Sequence, residues 1–205
     1  MPQHTEYLSS LPALADTERR STLLVDSSGR VLVALASGEG HLGEVGSPMA
    51  TPSANFTRPA DTTAYASGDL VANSTTAGSV VPLSWTAARI GAGSFMVRRA
   101  RLKKSTTSVT NASFRLHLYA ASPTCTNGDN GAWLTTESTY LGAIDITIDK
   151  AFSDAASGIG APNTGSEISV ELSSGQTIYG LIEARGAYTP GNAEVFTGIL
   201  ELFQN

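Results

Sequence analysis

The strongest constraint on this chain is a two-residue hydrophobic rhythm, repeated in short runs from about Thr51 onward. Phe114, Leu116 and Leu118 alternate with Arg115, His117 and Tyr119. Ile144, Ile146 and Ile148 alternate with Asp145, Thr147 and Asp149, and Ile168, Val170 and Leu172 with Glu167, Ser169 and Glu171. Successive strand side chains point to opposite faces, so each run offers one face to a core and one to water. Bounded by Gly, Asn, Asp and Pro clusters, the predicted strands are Ser79–Trp85, Ser94–Lys103, Ser113–Ala120, Tyr140–Asp149, Ser166–Leu172, Thr177–Arg185 and Glu194–Phe203. A further piece near Tyr65–Val71 makes an eighth. No segment there keeps a helical period over a useful length. Only 15% of residues are charged, against about 25% in an average domain, and there are 20 glycines, so bundles and coiled coils are disfavoured. The expectation is an all-β chain with two packed antiparallel sheets.

Residues 1–50 read differently. Leu11–Arg20 offers one short helix capped by Ser10, although Pro12 weakens it. Thr22–Asp26 and Arg30–Leu35 flank Ser27-Ser28-Gly29, which predicts a small hairpin. Ala36–Pro52 is rich in Gly, Ser and Pro without periodicity, as a linker is. The domain expectation is therefore an arm over 1–50 and a β-sandwich over 51–205. With so little core of its own, the arm is expected to be mobile in the free protein and to contact a partner.

Several function classes are disfavoured. Net charge is −5, so the whole molecule has no bias toward nucleic acid or anionic membrane, and no apolar run approaches a membrane span. Cys125 is the only cysteine, which excludes an internal disulfide and a cysteine zinc site. Residues 1–7 lack a leader pattern, and the expectation is folding in a cytoplasm, with the sequons at Asn55, Asn73 and Asn111 arising by chance. Gly38–Gly43 matches a dinucleotide fingerprint in spelling, but Glu44-Val-Gly-Ser-Pro48 supplies no helix to hold a pyrophosphate. His4, His41 and His117 have no metal-ligand or catalytic companions at motif spacing, and His117 reads as a surface residue on an outward strand face. Asn127, Asp129 and Asn130 could suit Ca²⁺, yet turns use the same residues and no EF-hand glutamate follows. The expectations are no enzymatic activity, no cofactor and no metal.

One stretch stands out for interaction. Between Ser84 and Arg115 there are seven basic residues and no acid, whereas from Leu116 onward ten acids face only Lys150 and Arg185. In Phe95–Lys104 the apolar Phe95, Val97, Ala100 and Leu102 interleave with Arg98, Arg99, Arg101, Lys103 and Lys104. Such a strand could track a nucleic-acid backbone, but it lacks aromatics that stack bases, so a protein partner is favoured over nucleic acid. These five basic residues are the candidate interaction site.

Thr63–Val71, Arg98–Lys103, Phe114–Tyr119, Ser122–Thr124, Asn127–Ala132, Tyr179–Ile182 and Gly186–Pro190 together resemble a family of tailed-phage virion proteins. The resemblance covers roughly residues 50–205. It implies a jelly-roll-like β-sandwich that decorates or cements the head by binding the major capsid protein, often as a homotrimer, on the outer surface of the virion. An alternative is a tail- or fibre-associated module that binds a carbohydrate or receptor. Such a module is expected to display aromatics, and with 7% aromatic residues the one candidate sugar contact is Trp133.

Overall fold

The computed structural model describes residues 48–134 and 138–204, together with two short strands before them. Those two, β1 (Leu24–Val25) and β2 (Val31–Leu32), pair antiparallel with Leu24 opposite Leu32, as the hairpin expected around Ser27–Gly29 requires. The chain divides into two compact units, Met1–Glu44 and Val45–Asn205. The helix expected at Leu11–Arg20, the Gly38–Gly43 motif, His4, His41 and most of the linker lie outside the described residues.

The second unit contains β3 (Met49–Ala50), β4 (Ser53–Thr57), β5 (Leu70–Val71), β6 (Leu83–Thr86), β7 (Ser94–Lys104), β8 (Ser113–Tyr119), β9 (Tyr140–Ala151), β10 (Ala156–Gly160), β11 (Ile168–Glu171), β12 (Thr177–Ala184) and β13 (Val195–Gln204). Its strand pairings are antiparallel. In the first layer β13 and β7 are central, β3 and β4 lie end to end along the free side of β13, and β10 and β11 along the far side of β7. In the second, β12 and β8 are central, β5 and β6 flank β12, and β9 flanks β8. Taking the end-to-end pieces as single positions leaves eight, in the orders 1-8-3-6 and 2-7-4-5. This is jelly-roll topology, in which two sheets share the burial of one core. The long β9 joins the layers, pairing with β8 through Thr147 and with β10 from Ile148 onward.

Trp85 shows how the layers meet. It projects from β6 across the core, where its Nε1 donates to the Gly198 carbonyl of β13 at 2.9 Å. A Cβ on Gly180 or Gly198 would come within 2.6–2.8 Å of the indole. Phe114, Tyr188 and Phe196 pack edge to face beside it.

Three departures from the expected strands have physical causes. Met49–Ala50, expected within the linker, is edge strand β3. Pro48 and Pro52 bound it and still accept from the Gln204 and Leu200 amides of β13, and the donor each lacks removes only a rung at the ends of a short edge strand. β10 has no apolar alternation because Gly158 and Gly160 lie against backbone: a Cβ would sit 2.1 Å from the Thr147 oxygen and 2.2 Å from the Asp145 oxygen. The start of the strand expected at Ser79–Trp85 is instead occupied by the end of a 3-10 turn, Ala77–Ser79, and pairing begins only at Leu83. That turn is the only helical element among the described residues.

Candidate interaction face

The basic strand β7 is built around a bulge. Glu201 of β13 is opposite Arg99 and Leu202 is opposite Val97, so Arg98 is the extra residue. Before the bulge Phe95 and Val97 face the core; after it Ala100, Leu102 and Lys104 do. The parity change turns Arg98 and Arg99 outward together, at neighbouring positions of one strand.

Four of the five candidate residues therefore lie on the outer face of the first layer. Arg99 Nε donates to Glu201 Oε2 at 2.6 Å, and Arg101 Nη2 lies 3.5 Å from Glu201 Oε1. The Arg99 hydrogen bond holds the Glu201 carboxyl below its usual pKa and raises that of the guanidinium. Arg98 lies over the Phe203 ring at 5.9 Å, and Lys103 is exposed. On β7 and β13 these four cations face one carboxylate, so the face keeps an excess of positive charge. Apolar groups are interspersed with them. Met49 is opposite Phe203, which is opposite Met96, and Ile199 is opposite Arg101, itself opposite Ile159. Met49, Met96, Phe152 and Ile159 are all exposed, by 42% or more. Buried interface patches are enriched in this combination of Arg, Met and aromatic side chains.

Lys104 must be withdrawn from that face. It is fully buried, because it shares the post-bulge parity of Ala100 and Leu102. Its Nζ donates to Glu194 Oε1 at 3.3 Å and to Thr106 Oγ1 at 2.7 Å, and lies 5.0 Å from the centre of the Tyr188 ring. Burial lowers the Lys104 pKa, and Glu194 opposes the shift. Tyr188 Oη completes the cluster by donating to the Glu194 carboxylate.

Asp129 and His117 also have partners that local spacing does not reveal. Asp129 accepts hydrogen bonds from Arg58 Nη2, Tyr65 Oη and the Ala72 amide, each at 2.7 Å. These three donors make Asp129 an anchor for the Asn127–Gly131 turn. Arg58 also donates to Tyr65 and lies over its ring. Burial works against the Arg58 charge, but Tyr65 and Asp129 outweigh it and raise the pKa. His117 is on the outward face of the second layer as expected, yet it is buried. Its ring stacks on Trp133 with centroids 4.1 Å apart, Nε2 is 3.0 Å from Glu183 Oε2, and Nδ1 is 3.3 Å from Tyr140 Oη. With both ring nitrogens engaged, this histidine serves to hold strands and loop together. Trp133 covers it and, partly buried, packs on a small second cluster of Leu70, Ala72, Tyr119, Cys125 and Leu181.

No family model matches the chain, and no curated protein matches it. Among solved structures it is similar to the extra small virus (XSV) VLP of the giant freshwater prawn Macrobrachium rosenbergii, determined by cryo-EM. The TM-score is 0.25 and the identity 8%, over 91% of this chain and 96% of that one. At that level two backbones coincide only in part, and the jelly-roll assignment rests on the strand pairing itself.

Proposed function

We propose that this chain is a structural virion protein that decorates or cements a phage capsid by binding the lattice of its major capsid protein from outside. The observation that carries the reading is the outer face of the first layer, where exposed Met49 and Met96 surround Phe203 and adjoin Arg98 and Arg99. A broad sheet face of mixed apolar and guanidinium groups fits a protein lattice. The family resemblance supports the same reading and brings with it the expectation of a homotrimer. The disposition of Trp133 gives the carbohydrate-binding alternative no comparable support.

The test is add-back to particles that lack this chain. Bound wild-type protein should appear as density on the outer capsid surface, and Met96→Asp with Arg98→Glu should reduce occupancy at least tenfold while thermal melting is unchanged. Density on the tail, or full occupancy by the double variant, would refute the assignment.

A further inference from the structure

We infer that the cleft between β9 and the 161–167 loop binds a neutral oligosaccharide, with Tyr140 and Asp145 as its fixed contacts. The cleft holds about 430 Å³ and is lined by Arg115, Tyr140, Asp145, Asn163, Ser166 and Glu167, among others. Small-molecule sites are ordinarily about 300–1,000 Å³. Strand register places these residues on the outer face of the second layer. Glu183, Arg115 and Asp145 form one row across β12, β8 and β9; Leu181, His117 and Ala143 form the next; and Tyr179, Tyr119 and Tyr140 the one after. Tyr140 and Asp145 therefore stand as far apart as Tyr119 and Arg115 on β8, which is about 13 Å at a strand's rise per residue.

Both contacts are held from behind. The Arg115 guanidinium forks onto Asp145, with Nε donating to Oδ1 at 2.7 Å and Nη2 to Oδ2 at 2.9 Å, yet the Asp145 side chain is 54% exposed. The Tyr140 ring packs edge-on to Tyr119 and tilts against His117, its Oη lies 3.3 Å from His117 Nδ1, and the residue is still 43% exposed. Glu183 fixes His117 in turn, and Arg185 donates to Glu183 at 3.0 Å. On the opposite wall the Ser166 amide donates to the Asn163 carbonyl, Gly165 supplies the turn with a φ of +82°, and the Gly165 amide donates to Glu167 Oε1. Groups immobilised before a ligand arrives lose little side-chain entropy on binding it.

An exposed ring combined with planar hydrogen-bonding side chains matches the two kinds of surface on a sugar. The C–H face of a pyranose packs on an aromatic ring, and its hydroxyls need acceptors and donors together. A carboxylate has about four lone-pair sites, so Asp145 can accept from hydroxyls while it holds Arg115, and the Asn163 carboxamide both donates and accepts. Charge argues against an acidic glycan, because Asp145 offsets Arg115 and Glu167 adds a second carboxylate to the lining. The spacing of Tyr140 and Asp145 exceeds one sugar ring, so a chain of linked sugars is required to touch both. Tyr140 is then the aromatic contact, in place of Trp133. The inference does not rest on the capsid reading: the cleft opens on the second layer, the lattice contact belongs to the first, and a particle-bound copy would keep the cleft free.

The test is a glycan array probed with the labelled full chain, carrying neutral gluco-, manno-, galacto- and N-acetylglucosamine oligosaccharides beside sialylated and sulfated ones, followed by calorimetric titration with the best binder. A neutral oligosaccharide should bind, and its monosaccharide at least tenfold more weakly. Tyr140→Ala and Asp145→Ala should each weaken binding at least tenfold with thermal melting unchanged. Because Asp145→Ala also releases Arg115, Asn163→Ala is the independent check: it keeps the backbone carbonyl of its turn and should weaken binding severalfold. No neutral glycan above background, a preference for sialylated or sulfated chains, or wild-type binding by Tyr140→Ala would each overturn the inference. Met96→Asp with Arg98→Glu should bind the glycan normally, and Tyr140→Ala should bind particles normally, so the two proposals fail separately.

Discussion

Replacing Asp129 with alanine should be among the most damaging single changes available in this chain. Its side chain is fully buried with Arg58, and it ties three separate elements together: Arg58 after β4, Tyr65 before β5, and the Ala72 amide after β5. Truncation removes three acceptor contacts and leaves the Arg58 guanidinium with one distant carboxylate, Asp61 at 3.5 Å, which is 36% exposed. Leaving one member of a buried ion pair uncompensated costs about 3–5 kcal/mol. Domains of this size retain about 5–15 kcal/mol in all, so the loss is a large fraction of the total. Guanidinium unfolding at pH 7, followed by tryptophan fluorescence, measures it. Removing both charges with Arg58→Met and Asp129→Leu should cost less than the two single losses added, because no ion is then left stranded. An Asp129→Ala variant within about 1 kcal/mol of wild type would refute the reasoning, since surface-like pairs behave that way.

Lys104→Met strands the buried Glu194 carboxylate and should cost about 3 kcal/mol by the same measurement, whereas Lys103→Met, one residue away on the exposed face, should stay within about 0.5 kcal/mol. Burial lowers the His117 pKa below its ordinary 6.5, so the unfolded chain takes up the proton first as pH falls. Stability should therefore decline from about pH 6.5 downward until the folded histidine is also protonated, and His117→Gln should flatten that part of a melting-temperature profile; parallel profiles would contradict the assignment. Gly180→Ala places a Cβ 2.6 Å from the Trp85 ring and should cost about 1–3 kcal/mol, relieved in part by Trp85→Phe, with urea midpoints as the readout.

Long alternating runs are legible in the amino-acid sequence because the direction of their core-facing side chains follows parity: β8, β9, β12 and β13 all begin and end within two residues of expectation. Parity fails where a bulge resets it. Lys104 reads as one of five surface cations, yet Ala100, Leu102 and Lys104 occupy alternate positions, and that spacing already places the lysine with the apolar pair. β10 escapes a search for periodicity because its two glycines answer to the neighbouring backbone and not to a core. Asp129 and His117 stand out chemically in the sequence, but their roles do not. Their partners are 71 and 66 residues away, and no local pattern encodes a pairing of that range.

The placement of β13 between β4 and β7 sets an order of assembly. Asn55 pairs with Thr197, and Lys104 with Phe196, so the centre of the first layer closes only across very long stretches of chain. β9 and β10, by contrast, are joined by a four-residue turn, and β8 is a single connection away. Long loops cost more entropy to close, and the expected sequence of events is an early β8–β9–β10 meander followed by late insertion of β13. Pulse-labelled hydrogen exchange should find β9 amides protected before those of β13, and simultaneous protection would contradict that order. Until β13 arrives, β4 and β7 each present an unsatisfied row of backbone donors and acceptors to whatever strand is nearby. In a cell filling with copies of this chain, another molecule's β13 can meet the same open edges, so strand exchange between copies competes with closure within one, and more so as concentration rises.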